Sequence, residues 1–153
     1  MKLRQAVLIL LGSDMSSTVE LFIGGHALTT VQFDSNVVLL FGDNQEFRLR
    51  IMEEDFTISK GQPPVVTPIH FAAWATPPEG AMGISQLVKL LNRKVLSSEA
   101  DEEGALSVAF EDGSIIVVRP KGTYESWSFE GAGQILVCVG SGKISVFDPV
   151  AKN

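Results

Sequence analysis

Cysteine and histidine are scarce in this chain of 153 residues, which contains one cysteine and two histidines. The lone Cys138 cannot form an internal disulfide, which suits a reducing compartment, so we expect a cytoplasmic protein. Its apolar neighbours Val137 and Val139 indicate a small buried residue rather than a nucleophile. With only His26 and His70, a structural zinc site of cysteine and histidine ligands cannot be assembled, although a site that includes carboxylates stays open. We expect no cofactor.

Positive charge is also in short supply. Twelve Lys and Arg residues against eighteen Asp and Glu residues give a formal charge of -6. Phosphate binding depends on clustered cations, so a nucleic-acid partner is not expected. An acidic surface speeds encounter with a basic protein, although it does not identify one.

The chain has no apolar run long enough to cross a bilayer, and no membrane partner is expected. The run from Ala6 to Gly12 is short and no Ala-x-Ala cleavage site follows it. Met15 can equally be an initiator, so residues 1–14 are either an N-terminal extension or an edge strand. Residues 15–153 have the length of a single domain.

Catalytic motifs are missing as well. Gly131-Ala132-Gly133 is followed by Leu136 where a dinucleotide fingerprint needs glycine. Gly142-Lys143 lacks both the upstream glycine and the following hydroxyl residue of a phosphate loop. Signatures of serine hydrolases and cysteine proteases are absent. We therefore assign no catalytic residue and do not expect an enzyme.

Two blocks of the sequence share a pattern, at about residues 25–59 and 93–148. Each block predicts a strand, a polar turn, a strand, a turn with aspartate and a further strand, which is a three-stranded antiparallel meander. The aligned pairs, with a two-residue insertion in the second block, are Asp34 with Asp101, Phe41 with Phe110, Asp43 with Asp112, and Arg50 with Arg119. The predicted fold class is α+β, mainly β, with two related meanders as an internal pseudo-repeat.

The strand predictions depend on the spacing of apolar residues. In Glu46–Ile51 every second residue is apolar, which predicts a strand with one face in the core. Val37–Phe41 and Ile115–Val118 are continuously apolar, as is typical of strands covered on both faces. Asp112-Gly113 predicts a tight hairpin turn.

Tyr124–Gly131 contains the only tyrosine and one of the two tryptophans. Trp127 and Phe129 fall on one side of an alternating pattern, and Tyr124 falls on the other. The pattern favours a strand with two buried aromatic side chains over an exposed aromatic platform for a ligand.

The two blocks are joined by a proline-rich connection, residues 60–80, which holds five of the seven prolines and predicts extended coil. Residues 83–92 follow. Their apolar residues Ile84, Leu87 and Leu91, together with Val88, are spaced as one face of an amphipathic helix. We expect that helix to lie against the sheet between the two meanders.

The C-terminal third resembles a family of small uncharacterised β-rich proteins from actinobacteria. The resemblance extends over about residues 25–147 and is most specific in the last 45 or so. The residues that carry it are Phe110, Asp112, Gly113, Tyr124, Glu125, Trp127, Gly140 and Gly142. The family has no assigned catalytic residues, so the resemblance implies an architecture and, by analogy with other small acidic β-rich proteins, an immunity-like role.

The hypothesis we favour is a non-enzymatic cytoplasmic protein-binding module. An immunity-like inhibitor of a basic toxin domain is the specific form of this hypothesis. Two acidic runs in predicted turns are typical of solvated loops rather than of acid–base catalysis. Their residues are the candidate partner contacts: Glu53, Glu54, Asp55, Asp101, Glu102 and Glu103.

Two alternatives stay open. The first is a small-ligand binder or an unrecognised enzyme with a pocket formed by His70, Trp74 and Tyr124. The second is a homo-oligomer that pairs through an exposed sheet edge.

Overall fold

The computed structural model describes residues 18–33, 35–71, 81–122 and 124–147. Thirteen strands and one short helix form in this part of the chain, so the prediction of a mainly β protein is confirmed. The strands are β1 (Val19–Glu20), β2 (Leu28–Phe33), β3 (Val37–Phe41), β4 (Phe47–Ile51), β5 (Asp55–Lys60), β6 (Val65–Phe71), β7 (Ala81–Met82), β8 (Val95–Ala100), β9 (Leu106–Phe110), β10 (Ile115–Val118), β11 (Trp127–Gly131), β12 (Gln134–Cys138) and β13 (Ile144–Phe147). The helix is α1 (Ile84–Val88).

The strands form two antiparallel sheets. The seven-stranded sheet has the order β1-β8-β9-β10-β5-β6-β7, and the six-stranded sheet has the order β13-β12-β11-β4-β3-β2. Strands β2 to β4 are a meander in the second sheet, and β8 to β10 are a meander in the first. The seven-stranded sheet therefore contains the meander β8 to β10, the strands β5 to β7 and the short strand β1. The six-stranded sheet contains the meander β2 to β4 and the strands β11 to β13. No helix within the described ranges is long and apolar enough to cross a membrane.

One hydrophobic core fills the space between the sheets. Phe47, Leu49 and Ile51 point into it from β4, as their alternation predicts, and they contribute to the same buried cluster as Ile116 and Val118 of β10. Since residues of both sheets share one cluster, the sheets are the two layers of a sandwich. Burial of every second residue favours the observed register of β4, because a shift by one residue would turn its charges into the core.

The strand predicted in residues 124–131 also forms, although it begins at Trp127. Trp127 and Phe129 are completely buried, as predicted, whereas Tyr124 precedes the strand and is 84% exposed. The indole Nε1 donates a hydrogen bond to the carbonyl oxygen of Gly104 at 2.9 Å. The buried indole N–H is thereby satisfied, so Trp127 is a core residue and no part of a ligand platform.

The proline-rich connection contains a hairpin that sequence reasoning missed. Strand β5 ends at Lys60 and β6 begins at Val65, with the two paired from Asp55–His70 to Lys60–Val65. Pro68 is tolerated in β6 because β7 pairs with this strand only at His70 and Phe71, so no described residue is a ladder partner of Pro68 on that side. The prediction of extended coil was therefore wrong for residues 65–71.

The helix is shorter than the predicted range of residues 83–92. It covers Ile84–Val88, and turns continue the chain to Asn92, whose φ of 70° lies in the left-handed region. Leu87 is buried, but Val88 is 46% exposed, so Val88 does not belong to the core-facing side. Ile84 and Leu91 pack against the core as predicted, so the pattern is wrong only at Val88.

Strand β10 is less buried than its sequence predicts. Val37–Phe41 is buried at all five positions, as predicted. In Ile115–Val118 only Ile116 and Val118 are buried, while Ile115 is 37% exposed and Val117 is half-buried. The expectation that both faces of this strand are covered is therefore wrong for the single chain.

Candidate functional site

The first acidic run, residues 53–55, lies where the chain passes from one sheet to the other: Glu53 and Glu54 belong to the link, and Asp55 is the first residue of β5. Glu53 is half-buried, and its Oε2 accepts hydrogen bonds from the backbone N–H of Lys121 at 2.9 Å and from Ser126 Oγ at 2.7 Å. These bonds hold the second link between the sheets, residues 119–126, against the first. The carboxylate of Glu53 therefore has a structural role.

The second acidic run forms the turn between β8 and β9. Asp101 Oδ1 accepts hydrogen bonds from the backbone N–H groups of Glu103 and Ala105, both at 2.9 Å. This is the usual way in which an aspartate side chain stabilises a turn. Glu102 and Glu103 are exposed, and their carboxylates have no partner among the described residues.

The two acidic runs are about fifty positions apart in sequence, yet they lie at the same end of the sandwich. Ser126, which is bonded to Glu53, donates its backbone N–H to the Cys138 carbonyl at 2.8 Å. Cys138 in turn places its Sγ 3.7 Å from the carbonyl oxygen of Gly104, next to Asp101. Burial, with the negative charges of Glu53 and Asp101, raises the pKa of the Cys138 thiol to about 11. We call this region the acidic end, defined by Glu53, Glu54, Asp55, Asp101, Glu102, Glu103 and Glu125.

Asp55 forms a side-chain cluster with His70 and Lys121. His70 Nδ1 lies 2.6 Å from Asp55 Oδ1, and Lys121 Nζ lies 3.6 Å from Asp55 Oδ2. The hydrogen bond from His70 lowers the pKa of the Asp55 carboxyl, and the charge of Lys121 adds to this effect against the cost of burial. Asp55 therefore stays ionised to lower pH than an isolated aspartate.

A shallow cleft of about 330 Å³ opens beside this cluster. We call it the Asp55 cleft. Its lining residues are Met52, Glu53, Glu54, Asp55, Lys121, Gly122, Tyr124 and Glu125. Carboxylates dominate the wall and one cation lies among them, so the cleft suits a positively charged group of a ligand or partner.

The match to known proteins covers most of the chain. Residues 19–148 match a family of unknown function (DUF6188). The chain belongs to DUF6188. The match spans every strand from β1 to β13 and agrees with the expected membership of an uncharacterised family. No curated protein and no solved structure gives a match.

The DUF6188 fold brings together some of the predicted site residues and separates others. The Asp55 cleft contains three predicted partner contacts, Glu53, Glu54 and Asp55, together with Tyr124 of the predicted pocket. His70 contacts the cleft through Asp55. The third pocket residue, Trp74, lies outside the described residues, as do residues 1–14.

Two residues of the cleft in this DUF6188 chain were not predicted as site residues: Lys121 carried no sequence signal, and Glu125 was noted only for the family resemblance. Lys121 follows a proline at the end of β10, and Glu125 is a single charge in an aromatic segment. Both enter the cleft because the link of residues 119–126 folds onto Glu53, a contact between segments 68 positions apart. Nothing in the spacing of nearby residues could have indicated it.

No group of three or more metal-ligating side chains occurs in the ranges that the structure describes. Two further clefts of about 360 Å³ are present. One lies between α1 and the β5–β6 hairpin, with Lys60, Lys89 and Asp112 in its wall. The other lies on the outside of the seven-stranded sheet, beside Arg119 and Lys121.

The sheet edges of the DUF6188 fold differ in how open they are. Strands β1 and β7 have two residues each, and β2 contains a register shift between Leu28 and Thr30. Strand β13 is regular over four residues, and its Val146 and Phe147 are 42% and 52% exposed. Among the described strands, β13 and the part of β2 after its register shift, residues 30–33, offer regular edges of four residues for pairing with another chain.

Proposed function

We propose that this protein is a non-enzymatic cytoplasmic module that binds a basic protein through the acidic end, in the manner of an immunity protein that inhibits a toxin domain. The observation that supports the proposal is the convergence of two distant acidic runs on one end of the sandwich. Four of the carboxylates, those of Glu54, Glu102, Glu103 and Glu125, are exposed and make no side-chain bond to a described residue.

A charged end of this kind fits a protein partner better than a deep ligand site. The Asp55 cleft is shallow, and the exposed carboxylates extend beyond it to the turn of residues 101–104. Charges spread over such a surface accelerate association and select against acidic partners, while the affinity comes mainly from the contacts at the centre. A basic partner is therefore expected to bind quickly at low salt and more slowly as salt is added.

The experiment is a capture of the partner followed by a comparison of two charge variants. The tagged protein is incubated in native lysate, and a captured protein is identified and produced. Its association rate is then measured against the wild type and against Glu54→Gln/Glu102→Gln. Loss of two charges from the acidic end should slow association with a basic partner by about tenfold at low salt, and much less at high salt.

The matched control is Asp43→Asn/Glu130→Gln. It removes the same charge from the β3–β4 turn and the end of β11, away from the acidic end. This variant should bind like the wild type. Recovery of the chain alone from the lysate, or equal slowing in both variants, would contradict the proposal.

A second candidate function is the binding of a small cationic ligand in the Asp55 cleft. The observation that favours it is the 2.6 Å contact between His70 Nδ1 and Asp55, which orients a histidine and a carboxylate beside Lys121 and Tyr124. Enzymes use the same pairing to orient a base. The pocket proposed from the sequence near His70 and Trp74 would then include Asp55.

Thermal-shift measurements with organic cations and divalent metal ions test this candidate. A ligand at a hundredfold its dissociation constant stabilises a fold by about 2.7 kcal/mol. The shift should vanish in Asp55→Asn and persist in Glu102→Gln, which lies at the same end but outside the cleft. No shift with any compound would remove this candidate in favour of the first.

We also propose that the two halves of the chain are an internal repeat. The alignment that pairs Asp34 with Asp101 also pairs Leu28 with Val95 and Thr30 with Ser97. The register shifts in β2 and β8 fall at these two positions. A bulge at the same place in both meanders supports a common origin, because bulges are specific features that are retained within families.

A further inference from the structure

The centre of the outside of the seven-stranded sheet carries few charges, while Glu20, Asp55 and Arg119 lie at its border. Two rows of outward side chains cross β8, β9, β10, β5 and β6. The first row is Ser97, Ala109, Ile115, Ser59 and Val66, and the second is Glu99, Ser107, Val117, Thr57 and Pro68. Glu99 is the one charged residue among these ten. We call this surface the open face.

The outside of the six-stranded sheet is different. Arg48 and Arg50 of β4 and Glu130 of β11 point outward there, so the solvent-facing side carries charges of both signs. That is the expected surface of a sheet with one face in water. On the seven-stranded sheet the charges lie at the border of the face instead of at its centre.

Strand β10 provides a specific reason to expect that the open face is covered. Its four residues are all Ile or Val, a composition typical of strands with both faces buried. In the single chain, Ile116 and Val118 face the core, but Ile115 is 37% exposed and Val117 is half-buried on the outside. Val66 and Pro68 beside them are also exposed.

The charges at the border of the open face are self-complementary. Arg119 follows Val117 on the same side of β10, is exposed, and makes no ion pair or side-chain hydrogen bond with any described residue. Glu99 lies two strands away in the second row. Consider two copies that are related by a two-fold axis lying in the plane of the face and passing between Ser107 and Ile115. Arg119 of each copy then faces Glu99 of the other, so the same ion pair forms twice.

We propose that the open face is the interface of a homodimer in which two copies of this chain pack sheet against sheet. Ile115 and Val117 lie near the two-fold axis, and the two Arg119–Glu99 pairs lie at the border. Five strands at about 4.8 Å spacing and two rows of side chains at about 6.8 Å spacing give a face of about 24 by 14 Å, so two such faces bury on the order of 700 Å² in total. This area is below that of most stable complexes, so we expect a weak dimer that forms at high protein concentration.

The open face borders the acidic end at Asp55, but it contains none of the exposed carboxylates Glu54, Glu102 and Glu103, and the dimer needs no other protein. It also differs from pairing through the edge of β13, since a face-to-face dimer leaves that edge open. The test is therefore made on the purified protein alone. Its outcome does not depend on whether a basic partner exists.

The experiment is sedimentation velocity over a wide range of protein concentrations. The wild type should change from monomer to dimer as concentration rises. Ile115→Asp places a charge at the centre of the face and should leave only monomer, with circular dichroism as the check on folding. A wild type that stays monomeric throughout, or an Ile115→Asp variant that still dimerises, would overturn the proposal.

An exchange of the two charges then tests whether the molecule bound to the open face is a second copy of this chain. Arg119→Glu and Glu99→Arg should each weaken dimerisation by about tenfold, because each places like charges opposite one another. The double variant should recover most of the wild-type affinity, and Arg50→Glu on the other sheet should change nothing. Failure of the double variant to recover would refute the assignment of a second copy in this orientation.

Discussion

Replacing Gly142 by alanine should destabilise the protein because two glycine turns interlock at the acidic end. Gly142 has φ of +90°, and a Cβ there would overlap the carbonyl oxygen of Glu103 and lie 2.8 Å from its carbonyl carbon. On the other side, a Cβ on Gly104 would lie 2.5 Å from the Gly142 oxygen and 2.8 Å from Cys138 Sγ. The obstructing atoms are mostly backbone, so neither turn can move aside without moving a strand end.

The size of the effect follows from two contributions. Alanine in a left-handed conformation costs about 1 kcal/mol or somewhat more. Displacement of the turn at Gly104 also breaks its hydrogen bond from Trp127 Nε1, and a buried donor without a partner costs about 1–3 kcal/mol. The sum, about 2–4 kcal/mol, is a large fraction of the roughly 5–15 kcal/mol by which such domains are stable.

Gly113→Ala is the matched control. Gly113 has φ of +92°, but a Cβ there meets nothing within 4 Å, so this variant reports the conformational cost alone. Urea unfolding followed by far-ultraviolet circular dichroism gives both free energies. Gly142→Ala should lose about 1–3 kcal/mol more than Gly113→Ala. Equal losses in the two variants would refute the interlocking of the turns.

Three further predictions concern single side chains. Because its pKa is lowered, Asp55 contributes stability that is complete above its ordinary value of 3.8 and is lost as pH falls through the depressed pKa. The urea midpoint of the wild type should therefore fall more than that of Asp55→Asn on acidification below pH 3.8, and equal falls would contradict the role of His70. The Cys138 thiol should react with an aromatic disulfide reagent only in urea, since it is buried and its pKa is about 11; rapid reaction of the folded protein would disprove this. Gln134→Leu should lower the free energy of unfolding by about 2 kcal/mol and speed amide exchange at Phe22. The reason is that the Gln134 side chain accepts a hydrogen bond from Phe22 N–H and donates one to the Glu20 carbonyl. The control Gln32→Leu, at an exposed position, should change the free energy of unfolding little.

The parts of the fold that could be predicted depend on patterns within one strand. Phe47, Leu49 and Ile51 alternate with charges, and that alternation alone assigns them to the core. Trp127 and Phe129 were recognised in the same way. Where a local rule conflicts with the tertiary environment, the prediction failed. Prolines argued against β6, but the position of Pro68 beside a short neighbouring strand removes the conflict.

The candidate site could be predicted only as a set of residue types. The sequence identified the acidic runs, but no local pattern shows that Glu53 and Asp101 approach the same cysteine. The contact between Asp55 and His70 depends on the pairing of β5 with β6, which was missed because β6 was missed. The error in the predicted secondary structure of residues 65–71 therefore became an error in the predicted site. The acidic character of the site was predicted correctly from its residue types.

The acidic end contains two kinds of carboxylate, and the distinction decides how its function can be tested. Glu53 and Asp101 accept hydrogen bonds from backbone N–H groups in segments that leave the sheets, where no ladder partner is present. A fold of this design needs acceptors at these points whatever the protein does, so their presence is no argument for a partner. Glu54 and Glu102 make no such bonds with the described residues. Since their charges have no structural task there, a change in binding on their removal, without a change in stability, is the result that ties this end of the protein to a partner.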